Sequence, residues 1–526
     1  MQNKYFDKMN NSTPKILWID DEIDLLRPHI LYLKEKGYDV ATTTTGKEGL
    51  RLIKDQNFDL VLIDQFMPGD DGIETSVHIK SINPSVPIIM ITKSEEEWLI
   101  DEAIYKKIDR LLIKPINPNQ IYAACKQVLE SANIFSEKSK NDYLSQFKDT
   151  EDLAFQASSI EEWWKIYAKF VKWQIDFDVQ REESLVQILK DQFNSVNKIF
   201  SQFIINNYPK WLNDNDRPTL SCDIFRRKIK PLLVKNKKIC LLVMDAMRLD
   251  QFVELNKMLS EDFSVEMEPS LSLIPSATPF SRNAIFSGLF ADEMCELYPN
   301  QRNEMIEDKG SLNNYEKDFL NDQMKKNGLS DKKMHYHKIW IADEGKRFLT
   351  KINNFTKNDL LAIVVNFVDQ LAHRRSESDV LKEMVPDESG YRKAVGNWYA
   401  KSWIKDVLHE LSLADYSVIM TSDHGSVMVS ERASVAADKS SSDGIRYKYG
   451  TNINSSDRKA LDIRDLDRYR LPDLGIRTNY LIAKENYYFI YPNEEKKYRK
   501  ILENSFQHGG ISIEEMLVPI LTMKPK

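Results

Sequence analysis

Short apolar runs that end at or near a carboxylate recur along the second half of the chain. Residues 239–244 are all apolar and are followed by Asp245, and the segments Leu360–Asp369 and Tyr416–Asp423 are predicted to be strands that end in the same way. Uninterrupted runs of this length are typical of parallel strands that are buried on both faces. Ligands of open α/β sheets bind just past the carboxyl ends of such strands. The pattern therefore predicts one functional site at these aspartates, joined by the loop that holds Thr278.

The first part of the chain alternates regularly between strand and helix patterns. Helical patterns fill the gaps between the strands, and the last one runs from Pro118 to about Glu130. Five βα units of this size predict a doubly wound, flavodoxin-like domain with a parallel sheet in 2-1-3-4-5 order. The predicted strands are Lys15–Asp20, Asp39–Thr44, Asp59–Asp64, Pro87–Thr92 and Arg110–Lys114.

Carboxylates follow the first strand of this domain and end its third strand. Asp20, Asp21 and Asp64 would repel one another without a cation, and Mg²⁺ takes one or two carboxylates together with phosphate oxygens. Asp64 can then act as a nucleophile that becomes an aspartyl phosphate. Thr92 and Lys114, at the ends of the fourth and fifth strands, would hydrogen-bond and pair with the phosphoryl group.

These positions, with the segment 64–69 and the Lys114-Pro115 pair, resemble the receiver domain of two-component response regulators. The resemblance covers residues 15–130 and implies phosphorylation of Asp64 by a sensor histidine kinase. Two positions depart from the family pattern. Leu111 stands where receivers carry an aromatic switch residue, and Lys93 stands where a small residue usually follows the threonine.

Residues 131–215 contain no glycine and only one proline, Pro209. Helical periodicity runs from Ile160 to Trp173, and Ser159 is placed to cap the start of this helix. We predict a central bundle of about three helices. Its aromatic stripe is expected to form the bundle core, with a partner-binding surface as the alternative.

The region from residue 216 to 526 repeats the α/β pattern and carries the candidate metal ligands. Pro279 predicts a helix that starts nearby, with Thr278 at or near its N-cap. Helix N-termini attract phosphate, and a threonine hydroxyl there can be a nucleophile when a metal ion lowers its pKa. Three of the eight histidines, His373, His424 and His508, lie beside aspartates or in a glycine loop.

Mixed carboxylate and imidazole ligands suit Zn²⁺, with manganese as the alternative. Two ions close together can clamp the attacking and leaving oxygens of an in-line displacement. The candidate ligands divide into two such sites. The first would use Asp245, Thr278, Asp423 and His424, and the second would use Asp369, His373 and His508.

The order of these residues resembles the alkaline phosphatase superfamily, and the tail from Gly509 to Met516 resembles its PglZ branch. Receiver (15–130), helical linker (131–215) and PglZ domain (216–526), after a tail (1–14), together resemble the PorX-type response regulators of bacteria with type IX secretion. The resemblance implies a phosphorylation-linked homodimer. It also implies a zinc-dependent phosphodiesterase acting on oligonucleotides or cyclic nucleotides, and contact with a sigma factor or secretion component. The catalytic nucleophile carried over is Thr278.

Composition adds few constraints to this interpretation. The net charge of −7 disfavours tight non-specific binding to polyanions. The N-terminal residues lack the apolar core of a signal peptide, and no apolar run has the length of a membrane span. The four scattered cysteines fit a reducing compartment, so we expect a cytoplasmic protein without membrane insertion. A docking module that zinc merely stabilises is the alternative to an enzyme.

Polar stretches over residues 296–350, 374–400 and 430–478 are predicted to be insertions that cover the catalytic face. Within the last of them, Arg446–Tyr449 interleaves basic and aromatic residues. That pattern suits single-stranded nucleic acid, although a solvated loop is the favoured interpretation. Surface positions are likewise favoured over a metal site for His335 and His337. Three further side chains are candidate phosphate contacts: Arg248, Arg282 and Asn283.

Overall fold

A computed structural model describes residues 14–526, apart from 68–69, 84–85, 94–107, 181–182, 308–311, 437–440, 443, 452, 456–457, 476–477, 492–498 and 500. The chain forms two compact units, residues 1–142 and residues 143–526.

The first unit contains a five-stranded parallel sheet in the order β2-β1-β3-β4-β5, which confirms the predicted flavodoxin-like topology. Each observed strand lies within one residue of its predicted ends. The strands are β1 Lys15–Ile19, β2 Asp39–Thr43, β3 Leu60–Asp64, β4 Ile88–Thr92 and β5 Arg110–Ile113. The helices are α1 Arg27–Glu35, α2 Gly46–Asp55, α3 Gly72–Ile82 and the first part of α4 Pro118–Gln156.

Apolar side chains on both faces of this sheet explain why it is parallel and covered by helices. Every residue of β3 and β4 is buried. Successive residues point to opposite faces, so Leu17 and Ile19 join one core cluster, whereas Ile16 and Trp18 join the other. The carboxyl ends of the strands therefore meet at one edge. Most of the helical pattern predicted between β4 and β5 lies outside the described residues.

The second unit begins with the helical linker. Helix α4, predicted to end near Glu130, continues to Gln156 because residues 119–156 contain neither glycine nor proline. It is followed by α5 Ile160–Gln180 and α6 Glu183–Trp211. As predicted, Ser159 caps α5, its hydroxyl accepting from the backbone N–H of Glu162 at 3.3 Å. The aromatic stripe of α5 is buried and forms the bundle core, as expected.

A six-stranded mixed sheet forms the centre of the C-terminal domain, in the order β8-β9-β6-β10-β11-β7. The first four of these strands run parallel, and β11 is antiparallel to both of its neighbours. The strands are β6 Lys238–Met244, β7 Phe263–Leu271, β8 Met334–Ile339, β9 Leu360–Val365, β10 Tyr416–Thr421 and β11 Leu517–Pro525.

Helices surround this sheet, and short strands form smaller sheets beside it. The helices are α7 Lys230–Val234, α8 Leu249–Leu259, α9 Thr278–Ser287, α10 Ala291–Leu297, α11 Pro299–Glu307, α12 Glu316–Lys326, α13 Ala342–Thr350, α14 Ile352–Phe355, α15 Phe367–Glu377, α16 Asp379–Met384, α17 Glu388–Ala400, α18 Trp403–Leu413, α19 Leu466–Tyr469 and α20 Ile513–Met516. The short strands are Val427–Met428, Glu431–Ser434, Tyr447–Thr451, Ala460–Ile463, Thr478–Ala483, Tyr487–Ile490 and Phe506–Gln507.

Strand β8 corrects the prediction that residues 296–350 are an insertion. It pairs with β9 along its whole length and forms one edge of the main sheet. Its sequence, Met-His-Tyr-His-Lys-Ile, lacks an apolar run because an edge strand is partly exposed, and five of its six residues are. The carboxyl ends of β6, β9 and β10 come together in register, so the segments that follow these strands share one edge of the sheet.

Candidate functional site

Asp245, Asp423 and His424 meet at the carboxyl edge of the main sheet. Asp245 follows β6, and the other two residues follow β10. One ligand atom from each lies within 4.8 Å of the others. The His424 Nε2 atom is 3.5 Å from Asp423 Oδ2 and 3.9 Å from Asp245 Oδ1. All three side chains are buried.

A backbone contact fixes which nitrogen of His424 faces this cluster. The Nδ1 atom lies 3.0 Å from the carbonyl oxygen of Gly425 and donates a hydrogen bond to it. The lone pair of the neutral ring is then on Nε2, the nitrogen that faces the carboxylates. His424 is therefore oriented as a metal ligand.

Asp369, His373 and His508 form a second cluster. The prediction that Asp369 ends a strand is wrong, because β9 ends at Val365 and Asp369 and His373 lie one turn apart on α15. His508 comes from the loop before α20. The Asp369 Oδ1 atom is 3.3 Å from His373 Nε2 and 3.6 Å from His508 Nε2. The rings of His508 and His424 stack at 4.3 Å, so the two clusters are adjacent.

Burial and neighbouring charges shift the pKa of one carboxyl group in each cluster. Burial, together with the nearby Asp423 and Asp369, raises the pKa of Asp245 well above its usual range, although Arg282 opposes the rise. Burial also disfavours the charged form of Asp369, but His373 and the other histidines outweigh it and hold the pKa of this carboxyl well below its usual range.

The buried carboxylates fit divalent cations. Among the residues that the structure describes, Asp245 Oδ1 and Asp423 Oδ2 are buried without a hydrogen-bond donor. A buried polar atom that lacks a partner is costly, and a carboxylate more so. A cation bound between these oxygens and His424 would supply the missing interaction.

Thr278 is the first residue of α9, one position after the N-cap residue Ala277. Its hydroxyl oxygen lies 3.0 Å from His424 Nε2, which places it beside the first cluster. The side chain is at the N-terminal end of the helix, where the partial positive charge of the helix favours anionic ligands.

Arg282 forms ion pairs that hold the metal-ligand candidate Asp245 in position. The sequence predicted it only as a candidate phosphate contact. Its guanidinium lies 2.6 Å from a carboxylate oxygen of Asp245 and 2.6 Å from one of Glu316, and it donates to the amide oxygen of Asn366 at 3.0 Å. Because these buried groups already pair with the guanidinium, Arg282 is not free to contact a phosphate. Its ion pair with Asp245 fixes the position of that carboxylate. Arg248 is similarly engaged, by Asp250 at 2.5 Å and Glu388 at 2.8 Å.

Both interpretations of the Arg446–Tyr449 segment are wrong. Arg446 is fully buried and donates two hydrogen bonds to the carboxylate of Glu515, at 2.7 and 2.6 Å. Lys448 is also buried. The segment is therefore structural, and local composition could not reveal this because Glu515 is distant in sequence.

The histidines of β8 are half-buried rather than surface residues. The ring of His335 stacks on Phe355 at 4.3 Å, and that of His337 packs against Phe348 at 4.8 Å. Asn283, the third candidate phosphate contact, instead donates to the backbone carbonyls of Pro279 and Leu312.

The first unit brings Asp20, Asp21 and Asp64 together, with one oxygen of each within 4.8 Å of the others. Lys114 Nζ lies 3.1 Å from Asp20 and 3.0 Å from Asp64. Burial, and then Asp20 and Asp21, raise the pKa of Asp64 against the opposing effect of Lys114. A magnesium ion fits this set of hard oxygen ligands.

Other receiver positions lie around this pocket. Thr92 donates a hydrogen bond to the side chain of Gln65, a partner that sequence reasoning missed although it adjoins Asp64. Leu111 packs against the core of the sheet. Lys93 is exposed and lies 3.5 Å from Glu22. The signature positions 68 and 69 lie outside the described residues.

Comparison with known families agrees with this geometry. The family model of the BREX system PglZ alkaline phosphatase-like domain matches residues 224–523. The chain belongs to the PglZ family. Residues 16–126 match the response regulator receiver domain, and residues 133–212 match the PorX response regulator linker domain. The chain is thus a PorX-type two-component response regulator with a C-terminal PglZ domain, and its receiver implies phosphorylation by a sensor kinase.

Curated relatives share only part of this arrangement. The transcriptional regulatory protein ResD of Bacillus subtilis (strain 168) is 33% identical over 119 residues, which are 23% of this chain and 49% of ResD. ZraR of Escherichia coli (strain K12) is 30% identical over 139 residues, which are 26% of this chain and 32% of ZraR. The chain therefore spans half or less of the length of these relatives.

Solved structures that resemble the chain cover a similar share of it. A CheY-like receiver domain protein from Methanospirillum hungatei JF-1 is 28% identical, with a TM-score of 0.22, and covers 23% of this chain and 96% of its own. The response regulator TrrA from Thermotoga maritima is 28% identical, with a TM-score of 0.21, and covers 22% and 99%. Within the described ranges, no helix of this PorX-type regulator combines the length and apolarity needed to cross a membrane.

Proposed function

We propose that the PglZ domain is a zinc-dependent phosphodiesterase controlled by phosphorylation of Asp64 in the receiver. The observation that carries this proposal is a threonine hydroxyl beside the first of two adjacent clusters of candidate metal ligands. The Thr278 oxygen is 3.0 Å from the Nε2 atom of His424 in the first cluster. The ring of His424 stacks at 4.3 Å on that of His508 in the second cluster.

The two clusters provide ligands for two zinc ions. Asp245, Asp423 and His424, with Thr278, would hold one ion, and the other would be held by Asp369, His373 and His508. When bound, zinc would lower the pKa of a coordinated hydroxyl and stabilise charge on the phosphate oxygens. Mg²⁺ would be held at Asp20, Asp21 and Asp64 of the receiver.

Thr278 would act as the nucleophile. Its hydroxyl gives up its proton to water, and its oxygen forms a bond to phosphorus. The P–O bond to the ester oxygen on the opposite side breaks, and that oxygen takes up a proton from water and leaves with the first product. The resulting phosphothreonine is then hydrolysed by water, which releases the second product and restores the hydroxyl. The N-terminus of α9 favours the negative charge of the phosphoryl group throughout.

The surroundings of Thr278 favour a diester over a monoester. A monoester carries an additional negative charge, which calls for cationic side chains that are free to contact it. Arg282 and Arg248, the candidates from sequence, are each bound to two carboxylates. Oligonucleotides and cyclic nucleotides are diesters and are the substrates we propose.

The linker match supports the remaining parts of the proposal. Because residues 133–212 match the PorX linker, we propose that a sensor histidine kinase phosphorylates the chain, that phosphorylation promotes a homodimer, and that the chain acts in type IX secretion through a sigma factor or secretion component. A zinc-stabilised docking module without catalysis would need no hydroxyl at Thr278, so the position of this side chain favours the enzyme.

Hydrolysis assays with purified full-length protein test the proposal. A chromogenic phosphodiester and the matching monoester are incubated with wild type and Thr278→Ala protein, with zinc or with a chelator. We expect zinc-dependent cleavage of the diester that Thr278→Ala abolishes and Thr278→Ser partly retains. Absence of turnover by zinc-loaded protein, before and after phosphorylation of Asp64, would contradict the enzyme.

A further inference from the structure

An aromatic pocket at the carboxyl ends of β8 and β9 has no role in the proposed hydrolysis. It has a volume of about 390 Å³, within the range of roughly 300–1,000 Å³ that is typical of ligand sites. The turn after β8 and helices α15 and α17 form most of its wall. The residues that define its chemistry are Trp340, Phe367, Gln370, Arg374, Trp398 and Trp403.

The pocket and the metal clusters share one edge of the sheet. The ends of β8 and β9, Ile339 and Val365, line the pocket, whereas Asp245 follows the adjacent strand β6. Strand β9 therefore adjoins both the pocket and the strand that carries Asp245. Helix α15 contributes to both, with Phe367, Gln370 and Arg374 on the side that faces the pocket, and Asp369 and His373 on a different side of the same helix.

The walls of the pocket present flat aromatic surfaces. The rings of Phe367 and Trp398 stack in parallel, 4.1 Å apart with an interplanar angle of 6°. Trp340 is 45% exposed, an unusual exposure for so large an apolar side chain. Such walls favour a planar ring that can stack on them.

Two polar side chains of the pocket, Arg374 and Gln370, further restrict which planar ligands it would bind. Arg374 is exposed and forms no ion pair within the part of the chain that the structure describes. Gln370 donates a hydrogen bond from its amide to the backbone carbonyl of Trp340 at 2.9 Å, which fixes the turn that carries this indole. A ligand with a planar ring and a nearby anionic group would use both features.

On the basis of the proposed function, we infer that this pocket binds a nucleobase of the diester substrate. The base stacks on the exposed indole of Trp340 while its phosphodiester lies at the metal clusters. Arg374 pairs with the phosphate of the neighbouring nucleotide. The pocket would make base identity a determinant of specificity.

Equilibrium binding tests the pocket independently of turnover. Adenosine 5′-monophosphate and ribose 5-phosphate, which lacks the base, are titrated into the metal-free full-length protein by calorimetry. We expect ribose 5-phosphate to bind about tenfold more weakly, because stacking of one base on an aromatic side chain contributes an effect of this size. Trp340→Ala should reduce binding of the nucleotide to the level of ribose 5-phosphate, and Trp340→Phe should retain most of it.

A control variant separates the pocket from general effects of removing exposed apolar surface. Leu413, at the end of α18, is 71% exposed and lies outside the pocket, so Leu413→Ala should leave nucleotide binding at the wild-type level. Equal binding of the two ligands to wild-type protein, or equal binding of the nucleotide to Trp340→Ala and wild type, would overturn the inference.

Kinetic specificity provides the second measurement. The zinc-loaded protein is assayed with a nucleoside 5′-p-nitrophenyl phosphate and with methyl p-nitrophenyl phosphate, which share the leaving group. The ratio of the two kcat/KM values should fall about tenfold in Trp340→Ala and stay constant in Leu413→Ala. Turnover of both esters with an unchanged ratio in Trp340→Ala would refute the pocket and leave the diesterase intact. Absence of turnover would contradict the diesterase, and the binding titration would then decide on the pocket.

Discussion

At the scale of single residues, Arg282 has the clearest structural consequence. It is 1% exposed and lies between the buried carboxylates of Asp245 and Glu316. Removing one partner of a buried ion pair leaves uncompensated charge and costs about 3–5 kcal/mol. We therefore expect Arg282→Ala to lower the free energy of unfolding by about this amount in urea titrations. Lys325→Ala, which breaks an exposed pair with Asp322, should cost less than about 1 kcal/mol. Equal losses of unfolding free energy in the two variants would contradict the role of Arg282 in stabilising these buried carboxylates.

Glu514 makes stability depend on pH. Burial, and then the nearby Glu388, raise the pKa of Glu514 from 4.5 to about 7. The folded state thus holds this proton more tightly than the unfolded state, so the contribution of Glu514 to stability is lost as pH rises from about 4.5 to about 7. Glu514→Gln removes this loss. The variant should gain stability over wild type across that interval, by up to about 3 kcal/mol.

Urea unfolding of both proteins between pH 4 and pH 8 measures this difference. A constant difference in unfolding free energy over the whole range would show that Glu514 titrates normally. Glu503→Gln, at a more exposed carboxylate paired with Arg499, is the control and should show no such trend.

At the scale of elements, the linker helix α6 holds α20 in place. The Asn197 amide donates to Glu514 at 2.8 Å and accepts from the backbone N–H of Ile513 at 2.9 Å. The carbonyl of Glu515, in the same helix, accepts from Gly425, the residue after His424. Gly425 cannot be replaced, because a Cβ atom would lie 1.9 Å from the carbonyl oxygen of Glu514.

Asn197→Leu should therefore weaken both stability and turnover. It leaves buried polar groups unpaired, which costs about 1–3 kcal/mol, and it loosens the helix that supports the His424 segment. We expect lower kcat for the diester and a lower urea midpoint. Gln202→Leu alters an exposed residue of α6 that donates a hydrogen bond to Asn206 at the surface, and it should change neither quantity. Normal kcat in Asn197→Leu would show that α6 does not support the site.

Much of the element pattern could be predicted from sequence. Parallel strands such as β3 and β6 are buried on both faces, so their apolar runs identify them directly. The edge strand β8 has no such run, and its place in the sheet follows only from pairing with β9. Asp245, Asp423 and His424 could be found because they follow strands, whereas Asp369 and His373 are indicated by their i, i+4 spacing and lie on helix α15. The role of Arg282 in positioning Asp245 could not be predicted, since its other partners, Glu316 and Asn366, are distant in sequence.

At the scale of the whole molecule, phosphorylation of Asp64 should be the signal that controls the PglZ domain. Incubation with a small phosphodonor and Mg²⁺ should add one phosphoryl group, measured by intact-protein mass, and chelation of Mg²⁺ should prevent it. Asp64→Asn should accept none. Asp55→Asn, at an exposed carboxylate of α2, should behave as wild type. Phosphate uptake by Asp64→Asn would place the acceptor elsewhere.

Oligomeric state should respond to the same input. Sedimentation of wild type should shift from monomer to dimer on phosphorylation, whereas Asp64→Asn should stay monomeric under identical conditions. An unchanged sedimentation coefficient in fully phosphorylated protein would contradict the proposed dimer.

Metal stoichiometry tests the central claim, two zinc sites beside Thr278, most directly. Zinc retained by folded protein after dialysis is measured by atomic emission for wild type, Asp423→Asn, His373→Ala and the exposed control His409→Ala. We predict about two ions per chain for wild type and the control, and about one for each of the other variants. Folded wild-type protein that retains no zinc, or Asp423→Asn and His373→Ala proteins that bind as much as wild type, would contradict the two-site account.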